Sequence, residues 1–129
     1  MKVEDKMEFI DVISERYSVR GYLDKEVEAE KLEYVLKAAT LAPTGVNYQP
    51  FKVYVIDTKK HKDELSKIYG AKWFTQAPYV LCVVALKDKA WTRPWDGKNI
   101  ADIDATIVMD HMILAAQIEI GRASCRERV

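Results

Sequence analysis

Apolar residues along this chain recur first at helical spacing, then in short continuous runs, and finally almost without interruption. From Asp5 to Tyr17, Ile10, Ile13 and Tyr17 fall on one face with Phe9 beside them, which predicts a helix. Asp5 with Glu8 three residues on has the spacing of a capping box, Asp taking the role of the hydroxyl residue. From Ala29 to Leu41, Leu32, Val35, Leu36 and Ala39 make a second stripe, and Pro43 stops it. Phe51 to Ile56 is β-branched and aromatic and reads as a strand. Lys59 to Tyr69 reads as a short surface helix, apolar at Leu65, Ile68 and Tyr69, which Thr58 is placed to cap and Gly70 to close. Tyr79 to Leu86 is apolar throughout, which predicts a strand buried on both faces with Cys82 as a small core residue. Ile100 to Ile120 predicts one long helix. Ile103, Ile107, Val108, Met112, Ile113, Ala115 and Ala116 cover most of its circumference, so it belongs in a core or between subunits. Asp104, Asp110 and His111 interrupt it. Adjacent residues point apart on a helix, so His111 reads as solvent-facing or interfacial rather than as half of an acid–base pair.

Three stretches between these elements carry polar chemistry. Arg16-Tyr17-Ser18-Val19-Arg20-Gly21-Tyr22 places two arginines and a serine at a helix end. Guanidinium forks and a hydroxyl suit a phosphate, and the same run equally suits a solvated basic turn. Ala42-Pro43-Thr44-Gly45-Val46-Asn47-Tyr48-Gln49-Pro50-Phe51 holds too many breakers for a helix or strand. Its Thr44, Asn47 and Gln49 donate and accept hydrogen bonds, which suits the heteroatom edge of a planar ligand. Lys87 to Asn99 is a polar connection with Trp91 and Trp95, readable as a lid, a partner contact or a plug at the end of the core. Before it, Ala71 to Pro78 is a turn bearing Trp73 and Phe74.

Composition narrows the classes. The 129 residues fit one domain, and 49% hydrophobic content supports a packed core. The 20 basic and 20 acidic residues cancel, which argues against general nucleic-acid binding. No apolar run approaches the ~20 residues of a membrane-spanning helix. The charged start at Met1-Lys2-Val3-Glu4-Asp5 lacks a signal core, and Cys82 and Cys125 form no disulfide framework, so a cytoplasmic setting is expected. No glycine-rich nucleotide loop, zinc-spaced His or Cys pair, or serine elbow is present. What remains is a candidate anion clamp near the N-terminus and an amide-bearing loop some two dozen residues later, suited to one ligand with a phosphate and a flat ring.

On these residues the chain resembles the nitroreductase family of FMN-dependent oxidoreductases. The resemblance rests on Arg16-Tyr17-Ser18-Val19-Arg20, on the loop from Ala42 to Phe51, on Ala77-Pro78-Tyr79-Val80-Leu81, and on the Asp-bearing helix from Asp104 to Ala116. It implies an α+β fold, a mostly antiparallel central sheet wrapped by helices, and a homodimer with FMN at the interface. By position, Arg16, Ser18 and Arg20 would hold the phosphate and ribityl end, with Tyr17 contributing backbone. Pro43, Thr44, Asn47 and Gln49 would face the isoalloxazine ring, largely from the partner subunit. The implied chemistry is ping-pong: NAD(P)H reduces the flavin, which then reduces a nitroaromatic, quinone or similar acceptor. No protein nucleophile is required.

The resemblance covers roughly residues 7 to 121. Family members continue beyond it through a glycine-rich turn, another strand and a basic C-terminal residue. Here Arg122-Ala123-Ser124-Cys125-Arg126-Glu127-Arg128-Val129 follows Gly121, with three arginines and no apolar period. The expectation is therefore an incomplete FMN-binding domain over 1–121, its C-terminal part missing, and a tail over 122–129 outside the fold. Two alternatives stand beside the oxidoreductase: an inactive fragment that only dimerises, and a family member with another flavin reaction such as dehalogenation.

Overall fold

A computed structural model describes residues 7–120. Four α-helices and two strands lie among them: α1 (Phe9–Glu15), α2 (Ala29–Thr40), β1 (Phe51–Asp57), α3 (Lys62–Ile68), β2 (Tyr79–Ala85) and α4 (Ala101–Glu119). Short 3-10 turns at Gly45–Asn47, Lys72–Thr75 and Lys87–Lys89 join them. The expected tail at 122–129 and the Asp5 capping role lie outside the described residues.

The strands pair antiparallel, with Val53 opposite Val83 and Tyr54 opposite Cys82. Side chains alternate across a strand, and one face of the sheet packs on α2 and α4. The core is Val35, Ala39, Ala42, Val108, Met112 and Ala115, with Phe51, Val53, Leu81, Val83 and Ile107 packed against it. This is an α+β layer of helices on an antiparallel sheet. Among the described residues no helix is long and apolar enough to cross a membrane.

The all-apolar run of β2 is not buried on both faces. Leu81 and Val83 turn toward the helices, whereas Cys82 and Val84 are exposed on the other face, as are Lys52 and Tyr54 of β1. The reason is topological. Among the described residues the sheet has two strands, and the core cluster takes its residues from one side of them. Cys82 is therefore an exposed free thiol, not a core residue.

α1 also departs from its pattern. It starts at Phe9, ends at Glu15, and buries Val12. Phe9 and Ile10 are 70% and 64% exposed, and Ile13 and Tyr17 are exposed too. A helix of two turns packing on α4 buries one narrow side, and here that side is Val12's. α3 starts later than predicted, with His61 at its N-cap and no side-chain cap, because residues 57–60 form a turn closed by Asp57. The Asp57 carboxylate accepts the N–H groups of Lys59 and Lys60 at 3.0 and 3.3 Å. Thr58 instead is buried, its hydroxyl without a partner among the described residues. Only Leu65 of the predicted apolar side is buried, while Tyr69 meets Trp73 and Phe74 edge-on. Tyr69, in extended backbone, ends the helix ahead of Gly70.

α4 keeps its predicted length and is the hub of the packing. Ala101, Asp104, Ala105, Val108, Met112 and Ala115 are buried, while Ile103, Met109 and Ile113 are exposed apolar residues. His111 is half-buried, beside a groove it shares with Phe9 and Tyr34. The two tryptophans divide. Trp91 is half-buried and meets Trp95 edge-on at 5.8 Å, and Trp95 is exposed under the Arg93 guanidinium.

Candidate functional site

The 42–51 loop is built from the end of α2. Leu41 closes that helix, and Pro43 forbids its continuation. Thr44 turns extended, and Asn47 and Tyr48 donate their N–H groups back to the carbonyls of Thr44 and Gly45 at 3.0 and 3.3 Å. The Thr44 hydroxyl accepts the N–H of Gln49 at 2.9 Å. Val46, Asn47 and Gln49 have positive φ angles of 51, 57 and 51°. Asparagine tolerates the left-handed region, but a β-branched valine there is strained.

Gly45 ties this loop to α4. Its N–H donates to the Asp104 carboxylate at 3.0 Å. A Cβ on Gly45 would stand 2.1 Å from the Ile100 Cδ1, so any larger residue there requires the end of the Ile100 side chain to turn aside. Asp104 is 2% exposed, and its second oxygen has no partner among the described residues. Sequence reasoning read Asp104 as an interruption of the apolar helix and as the start of the Asp-bearing stretch behind the family resemblance, without assigning it a partner. The usable signal was the pair Asp102 and Asp104 in the first turn of a largely apolar helix, where the helix dipole favours a carboxylate.

Of the loop's candidates, Pro43, Asn47 and Gln49 are exposed and Thr44 is half-buried. Gln49 reaches the Thr40 carbonyl with its amide at 3.4 Å. The Asn47 amide makes no hydrogen bond among the described residues, which leaves it the most available polar group of the loop.

The second candidate segment follows α1. Arg16 leaves the helix in extended backbone, and Arg16, Tyr17, Ser18 and Arg20 are all exposed. Gly21 is buried, and beyond it Tyr22 pins the chain. The Tyr22 N–H donates to the Gln76 side-chain oxygen at 3.0 Å, its hydroxyl donates to the Val19 carbonyl at 3.1 Å, and its ring tilts on Trp73. Thus the arginine run is held by the 72–76 turn, and the amide loop by α4. Among the described residues no hydrogen bond or ion pair joins the two segments. An apolar cavity of about 230 Å³ opens between α2, β2 and α4, lined by Leu32, Val35, Leu81, Met109 and Met112 among others. It contains none of the eight sequence-predicted residues and lacks the convergent polar groups of a ligand site.

Comparison with known proteins covers the same segments. The sequence model of the nitroreductase family matches residues 13–71. A nitroreductase family protein from Clostridium difficile 630 is 49% identical, with a TM-score of 0.75 over 85% of this chain and 62% of that one. An FMN-dependent nitroreductase from Clostridium difficile R20291 is 32% identical, with a TM-score of 0.71 over 84% of this chain and 60% of its own. Among curated proteins, an FMN reductase [NAD(P)H] from Bacillus subtilis is 32% identical over 79 residues, 60% of this chain and 32% of that protein. The chain thus spans about six tenths of these solved structures and about a third of this curated relative.

Proposed function

Because this chain belongs to the nitroreductase family, we propose that it is the FMN-binding domain, over residues 1–121, of an NAD(P)H oxidoreductase acting on a nitroaromatic, quinone or similar acceptor. The observation that carries the reading is the 42–51 loop. A fixed, partly left-handed backbone leaves the Asn47 amide exposed and uncommitted. The matched stretch, 13–71, contains this loop and the arginine run together.

The donor set fits the cofactor. Arg16 and Arg20 supply cationic forks for a phosphate dianion, and the Ser18 hydroxyl adds a neutral donor. Thr44, Asn47 and Gln49 supply neutral donors and acceptors for the edge of the ring, and Pro43 an apolar contact that excludes water. Tyr17 contributes its backbone. When bound, FMN supplies the redox chemistry, accepting hydride from NAD(P)H and passing electrons to the acceptor in a ping-pong cycle. The chain's residues bind and orient it, and the Arg20 charge favours negative charge on the ring.

The two segments are held by different elements of one chain, and this supports a homodimer in which the loop faces the partner's flavin. Exposed apolar residues on α1 and α4, notably Phe9, Ile10, Met109 and Ile113, supply the surface such an interface needs. The setting is cytoplasmic. Titrating the purified chain with FMN and following the quenching of flavin fluorescence tests the binding. Light scattering tests the dimer, and NAD(P)H consumption with an added quinone tests the reaction. A protein that quenches no flavin fluorescence at any concentration overturns the assignment.

A further inference from the structure

We propose that Asp104 is the positioning residue of the ring-facing loop. One buried carboxylate, 59 residues away in sequence, holds the Gly45 backbone and with it the presentation of Asn47 and Gln49. The proposal rests on the reading that this loop faces the flavin ring, and deepens it.

The loop's own bonds cannot fix its direction. Between Thr44 and Gln49 they are local: Asn47 to Thr44, Tyr48 to Gly45, and Gln49 to the Thr44 hydroxyl. The Gln49 amide reaches back to Thr40 of α2, and at the loop's end the Pro50 carbonyl accepts the N–H of Leu86, while Gly45 to Asp104 is the one hydrogen bond from this stretch to α4 among the described residues. Meanwhile the loop holds three non-glycine residues at positive φ, each an unfavourable conformation that an unanchored segment would relax. The contact of Gly45 with Ile100 sets how closely the loop approaches α4, and the carboxylate sets its orientation.

The fold alone gives no reason for a carboxylate here. Asp104 is 2% exposed, and its Oδ2 has no partner among the described residues. Burying an incompletely hydrogen-bonded carboxylate is unfavourable, and an apolar side chain would fill the space between helix and loop without that cost. A carboxylate does what an apolar residue cannot: it accepts a hydrogen bond from a backbone N–H and so fixes a direction. Its place in the first turn of α4, beside the positive end of the helix dipole, lowers the cost of keeping it there.

The test compares the full chain with Asp104→Ala and Asp104→Asn by amide hydrogen exchange and by FMN titration. Asparagine keeps an acceptor oxygen for the Gly45 N–H, whereas alanine removes it. In Asp104→Ala the amides of Gly45, Asn47, Tyr48 and Gln49 should exchange at least about tenfold faster relative to those of Val53 and Val83, and FMN affinity should fall about tenfold. Asp104→Asn should stay within about threefold of the parent in both readouts. Should the alanine variant fail to fold, Asp104→Ser, too short to reach Gly45 directly, takes its place. The proposal is overturned if the loop amides keep parental protection, if they lose it only in step with the strands, if asparagine fails to rescue, or if the loop loosens with FMN affinity unchanged. A parent chain that takes up no FMN defeats the site reading instead, and the exchange rates still decide whether Asp104 holds the loop.

Discussion

The run from Arg16 to Tyr22 and the loop from Ala42 to Phe51 are both polar, but they are built by opposite means. The first presents long charged side chains from an exposed segment that leaves α1 with the Arg16 N–H on the Val12 carbonyl and is anchored at its far end where Tyr22 meets Gln76 and Trp73. The second presents short neutral side chains from a backbone held by internal hydrogen bonds and by Asp104. The difference follows the chemistry each would serve. Charge acts over distance and guanidinium groups reorient, so a phosphate clamp needs little preset geometry. Neutral hydrogen bonds act only at close range and correct angle, so a ring-recognising loop must be set beforehand.

That contrast can be broken by substitution. The largest effect should come from Arg20→Ala, which is expected to weaken FMN binding by about 1.5–3 kcal/mol, the scale of a charge-assisted contact. Arg20 is exposed, so the melting temperature should not move. A drop in melting temperature with unchanged FMN affinity would make the run structural. Next is Gly45→Ala, expected to lose up to about 1 kcal/mol of stability in urea unfolding, because the end of the Ile100 side chain must turn aside for the new Cβ. Ile100→Val removes the nearest clashing atom and should recover much of that loss in the double variant. Additive losses would mean the contact is not what excludes a side chain.

Val46→Gly should go the other way. It relieves a valine held at positive φ and exposed, with an expected gain of up to about 1 kcal/mol read by the same unfolding curves. A loss would mean the valine side chain is packed rather than strained. The smallest effect concerns neither segment and serves as a control. Hydrogen bonds from the Arg93 side chain, with a further one from the Lys98 backbone, hold the Asp96 carboxyl below its ordinary value of 3.8. A depressed carboxyl contributes above its unfolded value, and the contribution is lost as the pH falls through the lowered one. Protection of the Lys98 amide should therefore weaken only on acidification below about pH 4, with the 42–51 loop amides unchanged across that range. If the loop loosens in parallel, the two regions are coupled and the contrast fails.

Much was legible in the sequence because it depends on local pattern. Helical spacing placed α2 and α4 to within a residue or two, and β-branched runs placed β1 and β2. Pro43 correctly ended α2, and the breaker-rich loop after it is irregular with a single 3-10 turn. Burial was less legible, because it depends on what lies across from an element. The apolar character of Tyr79–Ala85 says the strand can be covered on both faces, not that it is. Cys82 and Val84 are exposed because the helices pack on the opposite face from them. Likewise Ile10 and Ile13 mark a stripe that this chain alone leaves open, while Val12 faces inward.

By itself, then, the sequence determined where the chain can bend, which segments carry hydrogen-bonding chemistry, and the family those segments resemble. Each of these is set by neighbouring residues or by a short motif. Only the tertiary structure decided that Asp104 and Gly45, far apart in the chain, meet at 3.0 Å, and that the Ile100 side chain closes on Gly45. A hydrogen bond between distant residues leaves no periodicity in either segment. It exists only once α4 has packed against α2 and brought its first turn beneath the loop.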